Sequence, residues 1–208
     1  VIISSSSEQI IANFDSVSTT LDISNGYWII DSNGTPSSGT GPSKGANGTD
    51  DYIYFETSSG YAYTSGDTGW FETNDFLDAE NISFYYHMYG QNIGDLIVEV
   101  YYQSTWKEIW RASGEKHTSN SSEWLKKTLD LGPYTGSVKV RFKGVAQGGY
   151  RGDIAIDEIT FLPARTKSVA NFDSGIDGTT TVNNYWRRNS GNTPSLYTGP
   201  TSAALTGG

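Results

Sequence analysis

The sequence contains an internal repeat with a single spacing, and this repeat sets the size of the unit that must fold. Four short segments recur 158 positions further along the chain, from 12 to 170 for the first of them, with no insertion or deletion between them. Residues 12–16 recur at 170–174, 27–28 at 185–186, 35–37 at 193–195, and 40–42 at 198–200. Four matches in one register indicate a duplicated module.

The repeat divides the chain into four predicted parts. Residues 1–9, which include a serine run, are predicted to be a linker. Residues 10–163 form one complete module, residues 164–168 a connector, and residues 169–208 the start of a second module. Roughly 40 residues with few apolar groups cannot bury a core of their own. We expect this last part to be disordered, to pack on the first module or to pair with another chain, in a protein built as a tandem array.

The complete module has the periodicity of strands and shows no amphipathic helix. Apolar and aromatic runs alternate with Asn-Gly, Gly-Asp, Gly-Pro and Gly-Gly turn pairs. The predicted strands lie at 52–56, 82–89, 96–102, 106–110, 124–131, 137–145 and 154–161. Short strands joined by turn-rich loops predict an all-β fold, a concanavalin-like jelly-roll β-sandwich of two antiparallel sheets.

Composition excludes several classes of function. The net charge of −9 argues against a nucleic-acid-binding protein, which needs a basic face. The chain has no cysteine, so it has no disulfide, thiolate nucleophile or cysteine-based metal site. No apolar run approaches the roughly 20 residues of a membrane-spanning helix, so we expect no membrane insertion. Abundant Ser, Thr, Gly and Asn, with 13% aromatic residues, is typical of a secreted β-sandwich.

Four stretches of the module carry a recognisable pattern. In chain order they are residues 34–42 (GTPSSGTGP), 51–58 (DYIYFETS), 84–96 (FYYHMYGQNIGDL) and 151–159 (RGDIAIDEI). In this order they resemble the MAM domain, named after meprin, A5 and receptor phosphatase mu. The resemblance covers nearly all of residues 10–163, and the partial repeat is similar to the first strands of a second MAM domain.

The resemblance implies a jelly-roll sandwich with an extracellular, non-catalytic role in adhesion or recognition. Animal members of the family carry conserved cysteines, whereas this chain has none. A cysteine-free version resembles a bacterial branch, found as accessory modules of secreted enzymes and large surface proteins. The homophilic adhesion of some animal members is not carried over to this chain.

The residues themselves do not predict an enzyme. The chain has two histidines, of which His87 lies in an aromatic strand and His117 in a polar loop. We expect His87 to be packed and hydrogen-bonded in the sandwich, and His117 to be solvated. The sequence has no HExxH or P-loop motif. A glycosidase needs only two carboxylates, but the acidic residues here do not single out a pair.

A cation-binding site is the best candidate for a functional site. Strict alternation in the last strand places Asp157 on an apolar face with Ala155, Ile159 and Phe161. A carboxylate on such a face is costly unless it is paired or bound to a metal. A jelly roll brings its first and last strands together, and some MAM domains hold a cation near the equivalent positions. The candidate ligands are Asp15, Asn47, Asp50, Asp51 and Asp157.

The predicted ion is a structural Ca²⁺, or Na⁺ in its place, because calcium prefers six to eight oxygen ligands. The alternative is that Asp157 accepts hydrogen bonds from loop amides and no ion is bound.

Aromatic side chains are the second candidate, because exposed rings stack on the apolar faces of sugars. The candidates are Tyr61, Tyr63, Trp70, Trp106, Trp110 and Trp124. Trp106 and Trp110 are four residues apart, so strict alternation puts them on one face of their strand. The alternative is that the tryptophans belong to the core. Trp28 is repeated as Trp186, which favours a structural role for that side chain.

Three functions remain open at this point. The first is a non-enzymatic adhesion or recognition module of a secreted or cell-surface protein, which binds a protein or glycan ligand and neighbouring repeats. The second is a carbohydrate-binding accessory domain of a secreted polysaccharide-degrading enzyme or protease. The third is a structural spacer in the stalk of an adhesin. The tandem repeat favours the first and third, and a localised aromatic patch would favour the second.

Overall fold

The computed structural model describes residues 2–3, 9–15, 21–23, 26–49, 51–77, 79–163 and 167–168. The chain divides into two compact units, one of residues 6–164 and the other of residues 1–5 with 165–208. In the second unit, β1 (Ile2–Ile3) pairs antiparallel with β14 (Lys167–Ser168). Asp50 and the predicted repeat at 169–208 lie outside the described residues, and the predicted domain boundaries stay predictions.

The unit of residues 6–164 is built from strands. Its elements in chain order are β2 (Gln9–Ala12), β3 (Leu21–Asp22), β4 (Trp28–Ser32), a single 3₁₀ turn (Ala46–Gly48), β5 (Asp51–Phe55), β6 (Thr68–Thr73), β7 (Phe76–Leu77), β8 (Ala79–Met88), β9 (Asp95–Tyr102), β10 (Thr105–Ser113), β11 (Leu125–Asp130), β12 (Ser137–Val145) and β13 (Ile154–Pro163). Each predicted strand overlaps one of these elements. In the described part of the chain, no helix is long and apolar enough to cross a membrane.

The strands form two antiparallel sheets of six strands each. Sheet I has the order β11-β8-β13-β5-β4, and β2 also pairs with β13. Sheet II has the order β10-β9-β12-β6-β3, and β7 also pairs with β12. The neighbours β13 and β8, or β12 and β9, are far apart in sequence, as the crossing connections of a jelly roll require. The predicted all-β sandwich is confirmed.

Aromatic rings join the two sheets through the core. Phe71 and Phe142 of sheet II stack with ring centroids 5.0 Å apart. Trp28 of sheet I packs edge-on against Phe71 at 4.9 Å, and Phe84 of sheet I packs edge-on against Phe142 at 4.9 Å. Trp110 continues the row against Phe84 at 5.7 Å. These edge-to-face contacts fix the rings in one arrangement and add to the free energy of burying them.

Two β-bulges change which side chains face the core. In β13 the pairing register shifts after Asp157, where Glu158 has a positive φ of 45°. Ile159 and Phe161 therefore belong to the core between the sheets. Asp157 lies on the outer face of sheet I with Ala155. The expectation that Asp157 shares a face with Ile159 and Phe161 is wrong, because a bulge adds one residue and reverses the alternation.

The second bulge lies in β10, between Glu108 and Trp110. Trp106 pairs with the exposed Tyr101, whereas Trp110 pairs with the buried Val98 and packs against the core. The expectation that Trp106 and Trp110 share a face is wrong for the same reason. The core interpretation holds for Trp110, and Trp106 lies on the outer face of sheet II.

A long loop, residues 33–49, lies along the outer face of sheet I. At its middle, the N–H of Gly41 donates to the carbonyl of Tyr89 at 3.0 Å. Near its end, the N–H of Ala46 donates to Oδ2 of Asp157 at 2.8 Å. Under the loop is a second apolar cluster, separate from the main core, formed by Tyr52, Tyr54 and Ala155. This loop and its cluster bury the part of the outer face of sheet I that β5 and the first half of β13 form.

Two paired glycines make room for one core ring. Gly69 of β6 and Gly144 of β12 face each other in the register of sheet II. A Cβ added to Gly144 would lie 2.5 Å from Cγ of Phe55, which projects from sheet I. A Cβ on Gly69 would overlap the backbone of Gly26 and approach the same ring. Because neither glycine has a side chain, the space beside them accommodates the ring of Phe55, and we call this space the Phe55 socket.

We expect Gly144→Ala to lower the melting temperature by about 4–8 °C, because overpacking a core costs about 1–3 kcal/mol. Phe55→Leu removes the clashing ring, so the double variant should lose less stability than the sum of the two single variants. The four proteins can be compared by differential scanning calorimetry. A Gly144→Ala variant that melts like the wild type would contradict this description of the socket.

Candidate functional site

Asp157 is a buried carboxylate that holds the end of the loop at 33–49. Its Oδ2 accepts hydrogen bonds from the N–H of Ala46 at 2.8 Å and from the hydroxyl of Thr49 at 3.0 Å. Its Oδ1 accepts one from the N–H of Glu158 at 2.7 Å. Burial raises the pKa of Asp157 to about 7, and these hydrogen bonds oppose the rise. Asp157 thus accepts the hydrogen bonds from backbone amides that we expected if no metal ion is bound.

The other candidate cation ligands lie around an open depression beside this loop. It is lined by Asp15, Asn47, Gly48, Thr49 and Asp51. Oδ1 of Asp15 accepts a hydrogen bond from the N–H of Asp51 at 3.1 Å, which ties the end of the first strand region to the start of β5. β2 pairs with β13, as expected for the first and last strands of a jelly roll. The fold thus brings Asp15, Asn47 and Asp51 together, with Asp157 beneath the same loop.

The donor set of this depression consists of carboxylate, amide, hydroxyl and carbonyl oxygens, which are the ligands that calcium prefers. Within the described residues, no group of three or more His, Cys, Asp or Glu side chains is arranged to hold a metal ion. An ion here would need backbone carbonyls or water as ligands, and the predicted cation stays a prediction.

A second buried carboxylate, Asp153, holds the other part of the same region. Its Oδ1 accepts hydrogen bonds from the N–H and the hydroxyl of Thr57, both at 3.1 Å. Its own N–H donates to the hydroxyl of Thr40 at 2.9 Å, which attaches the long loop to the start of β13. Burial, and then the nearby Glu56 carboxylate, raise the pKa of Asp153 to about 7. Hydrogen bonds from Thr35 and Thr57 oppose the rise without cancelling it.

The two histidines form a buried stacked pair. Their ring centroids are 4.0 Å apart, with an angle of 18° between the planes. His87 is fully buried and His117 is 4% exposed, so the expectation that His117 is solvated is wrong. Nδ1 of His117 accepts a hydrogen bond from the N–H of Met88 at 2.9 Å, which draws the loop of residues 114–124 onto sheet I.

Both histidines are kept neutral by this packing. Burial, and then the neighbouring His117 ring, lower the pKa of His87 to about 3. The backbone of Ser122 and Ser119 opposes this weakly, because neither His87 nitrogen has a hydrogen bond of normal geometry. Burial also lowers the pKa of His117. A neutral, inaccessible pair serves packing rather than proton transfer to a substrate.

Two of the candidate tryptophans enclose an arginine on the outer face of sheet II. The guanidinium carbon of Arg141 lies 4.2 Å from the ring centroid of Trp106 and 5.6 Å from that of Trp70. Nε of Arg141 also donates to Oε2 of Glu99 at 2.5 Å. Arg141 thus occupies space against both indoles, and the arrangement stabilises the sheet surface through cation–π contacts.

The candidate Trp124 is half-buried at the edge of the second apolar cluster. Its ring packs edge-on against Tyr52 at 5.8 Å and lies 5.5 Å from His87. Its Nε1 donates to the carbonyl of Lys44 at 3.2 Å. Beside it runs a polar groove between residues 43–48 and 120–124.

The candidates Tyr61 and Tyr63 lie in the loop of residues 56–67, where their side chains are 45% and 47% exposed. The N–H of Gly149 donates to the carbonyl of Tyr63 at 2.9 Å, which joins this loop to the one at 146–153. That loop carries Tyr150, a residue that is 43% exposed and absent from the sequence-based candidates. The guanidinium of Arg151 lies 5.3 Å from the Tyr150 ring. These three tyrosines form what we term the tyrosine surface.

The packed antiparallel sheets place the chain in the class of jelly-roll β-sandwich domains. Within this class the chain belongs to the MAM family, since the profile of the MAM domain, meprin/A5/mu, matches residues 16–166. The predicted resemblance is thereby confirmed. Whether the chain is of bacterial type, and whether a second repeat begins near its end, stay predictions.

Curated relatives match part of the chain. The MAM domain-containing glycosylphosphatidylinositol anchor protein 1 of Rattus norvegicus is 38% identical over 82 residues, which cover 38% of this chain and 8% of that protein. Protein 2 of the same name from Homo sapiens is 37% identical over 83 residues, with the same coverage of 38% and 8%. The match therefore spans a small part of these relatives.

Solved structures share the fold. The K1 cleaved adhesin domain of Lys-gingipain from Porphyromonas gingivalis W83 matches with a TM-score of 0.51 and 12% identity, over 76% of this chain and 99% of that one. The K2 cleaved adhesin domain of Lys-gingipain matches with a TM-score of 0.50 and 14% identity, over 75% and 99%. At this identity the likeness concerns the fold alone.

We expect Asp153→Asn to change how stability depends on pH. The folded-state pKa of Asp153 is raised from 3.8 to about 7, so the folded protein keeps a proton that the unfolded chain releases. Wild-type stability therefore falls as the pH rises from 4 to 7 through this group. Asparagine keeps the acceptor for Thr57 and cannot ionise, so the variant should gain about 3 kcal/mol relative to the wild type between pH 5 and pH 8.

Urea unfolding of both proteins at pH 5, 6, 7 and 8 measures this difference. The pH dependence contributed by titratable groups that both proteins share cancels when the two unfolding free energies are subtracted. Asp75→Asn, at an exposed position between β6 and β7, is the matched control. A stability difference between wild type and Asp153→Asn that stays constant from pH 5 to pH 8 would show that Asp153 has an ordinary pKa.

Proposed function

We propose that the chain is a non-enzymatic recognition and adhesion module that acts outside the cell, in a secreted or cell-surface protein. Its membership of the MAM family supports this role. The names of its curated relatives, which are glycosylphosphatidylinositol anchor proteins, support a place at the cell surface. The lack of cysteines supports a bacterial-type member, and the segments that recur 158 residues further along the chain support a protein with further MAM repeats. Its partner is a protein or glycan at a cell surface or in a matrix.

The observation that carries this proposal is the tyrosine surface. Tyr61, Tyr63 and Tyr150 are each exposed by more than 40% on two loops that are hydrogen-bonded to each other. Further backbone hydrogen bonds of 2.9 Å join Gly66 to Ala146 and Asn92 to Arg151, so the loops are held on the sandwich. Rigid loops that present tyrosine are a common means of protein recognition, because the ring offers a large contact area with few rotatable bonds.

The buried titratable groups support a non-catalytic role. Burial is the main cause of the shifted pKa values of Asp153, Asp157, His87 and His117, and all four lie in packed networks. A catalytic acid or base must reach its substrate, and these side chains face the underside of a loop or another ring. Their shifted pKa values follow from burial.

The proposal includes a structural calcium ion, or sodium in its place, in the depression beside the long loop. Asp15, Asn47 and Asp51 would hold it, together with Asp157 beneath the loop and the neighbouring Asp50. The supporting observation is the convergence of oxygen ligands on one depression. When bound, the ion would offset the repulsion between the carboxylates and fix the loop on sheet I.

We expect the triple variant Tyr61→Ala, Tyr63→Ala, Tyr150→Ala to bind its partner at least tenfold more weakly, because losing several interface tyrosines costs more than about 1.4 kcal/mol. Surface plasmon resonance against immobilised collagen, laminin, fibronectin and a second copy of the chain measures this. Tyr101→Ala, which removes a tyrosine 40% exposed on sheet II, is the matched control. A folded wild-type chain that binds none of these probes would favour the spacer function.

Calcium should raise the melting temperature by about 5 °C or more at a concentration 100 times the dissociation constant, since a ligand of the native state stabilises by mass action. Asp15→Asn should remove most of this increase, and Asp75→Asn should leave it intact. Calorimetry with calcium, with magnesium and with a chelator gives the comparison. Equal melting curves in all three conditions would rule out the bound ion.

A further inference from the structure

The polar groove beside Trp124 has the features of a binding site for a small polar molecule. It has a volume of about 330 Å³ and lies between residues 43–48 of the long loop and residues 120–124 of the loop that precedes β11. This volume is at the lower end of the range of small-molecule sites, which runs from about 300 to 1,000 Å³.

Hydrogen bonds fix the positions of both walls of the groove. The N–H of Ser43 donates to the carbonyl of Asn120 at 2.8 Å, which joins the two loops directly. Nε1 of Trp124 donates to the carbonyl of Lys44 at 3.2 Å, which fixes the indole against the opposite wall. The hydroxyl of Ser122 accepts a hydrogen bond from the N–H of Ser119 at 3.1 Å and shapes the end of the second loop. A ligand therefore meets walls that are already ordered, which lowers the entropic cost of binding.

The side chains along the groove fit one chemical class of ligand. Trp124 supplies a half-buried aromatic ring, and Asn120, Ser121 and Ser122 supply amide and hydroxyl groups. Amides and hydroxyls both donate and accept hydrogen bonds, as sugar hydroxyls do. Sugar rings also present an apolar C–H face that packs on an indole. Lys44 and Glu123 contribute one positive and one negative charge, so the groove carries no net charge that would select an ionic ligand.

We propose that this groove binds a neutral saccharide, with Trp124 as the stacking platform and Asn120 and Glu123 as partners of the sugar hydroxyls. Among the candidate tryptophans, Trp124 combines partial exposure with a neighbouring groove. Trp70 and Trp106 have the guanidinium of Arg141 against their rings. The site is separate from the tyrosine surface, so its failure and the failure of the proposed adhesion site are distinguishable.

The test is a binding screen of the full 208-residue chain against neutral oligosaccharides, with sulfated and uronic-acid oligosaccharides in parallel. The protein should come from a host without N-glycosylation, because Asn120-Ser121-Ser122 is an acceptor sequence whose glycan would cover the groove. Isothermal titration calorimetry of the best neutral ligand then gives the affinity of each variant.

Two variants probe the groove in different ways. Trp124→Ala should abolish detectable binding, but the ring also packs on Tyr52, so folding must be verified by near-ultraviolet circular dichroism. Asn120→Ala changes an exposed side chain and leaves the carbonyl that accepts from Ser43, so it should fold normally and bind at least fivefold more weakly. Asn74→Ala and Trp106→Ala are the matched controls, and both should bind like the wild type.

The proposal is overturned by any of three results. These are a folded wild type that binds none of the neutral oligosaccharides, unchanged affinity in both Asn120→Ala and a folded Trp124→Ala, or selective binding of the anionic glycans.

Discussion

The arrangement of the loop on the outer face of sheet I depends on two carboxylates, one at the start of β13 and one within it. Asp153 directly precedes β13 and Asp157 lies within it, and both side chains are fully buried. Asp157 accepts hydrogen bonds from the far end of the loop at 33–49, while the N–H of Asp153 donates to Thr40 nearer its start. A buried carboxylate without such partners would cost several kcal/mol, so each strand position and its loop contact stabilise one another. Without these contacts, the cluster of Tyr52, Tyr54 and Ala155 on this face would lie open to water.

The loop at 33–49 contributes residues to two of the candidate sites. One side borders the depression with Asp15 and Asp51, and the other forms a wall of the groove beside Trp124. The other wall of the groove belongs to the loop of residues 114–124, which is attached to sheet I by the stacked pair of His87 and His117. The aromatic row between the sheets keeps the scaffold rigid, so the loops can specialise without disturbing the core. The tyrosine surface follows the same logic, with loop residues fixed by hydrogen bonds to neighbouring loops.

Departures from the sequence-based description have a common physical origin. Strict alternation failed at β-bulges, which put Asp157 and Ile159 on opposite faces and did the same to Trp106 and Trp110. A bulge depends on the pairing of one strand with its neighbours, and no local sequence signal marked either of them. The burial of His117 was also unexpected, since its neighbours in sequence are polar. Its environment is supplied by β8, which is distant along the chain. Tyr150 was overlooked because a single tyrosine in a glycine-rich turn gives no periodic signal.

The sequence alone determined the positions of seven strands, the all-β class and the family, because these follow from local periodicity, turn chemistry and a specific set of motifs. It also identified Asp15, Asn47 and Asp51 around the depression, Asp157 beneath the loop, and Trp124 beside the groove, but not Asn120 or Glu123. The tertiary structure alone decided which of them are accessible and which of them meet. Burial and convergence depend on contacts between residues such as Ala46 and Asp157, or Ser43 and Asn120, that are far apart along the chain. Such contacts leave no pattern in either segment by itself.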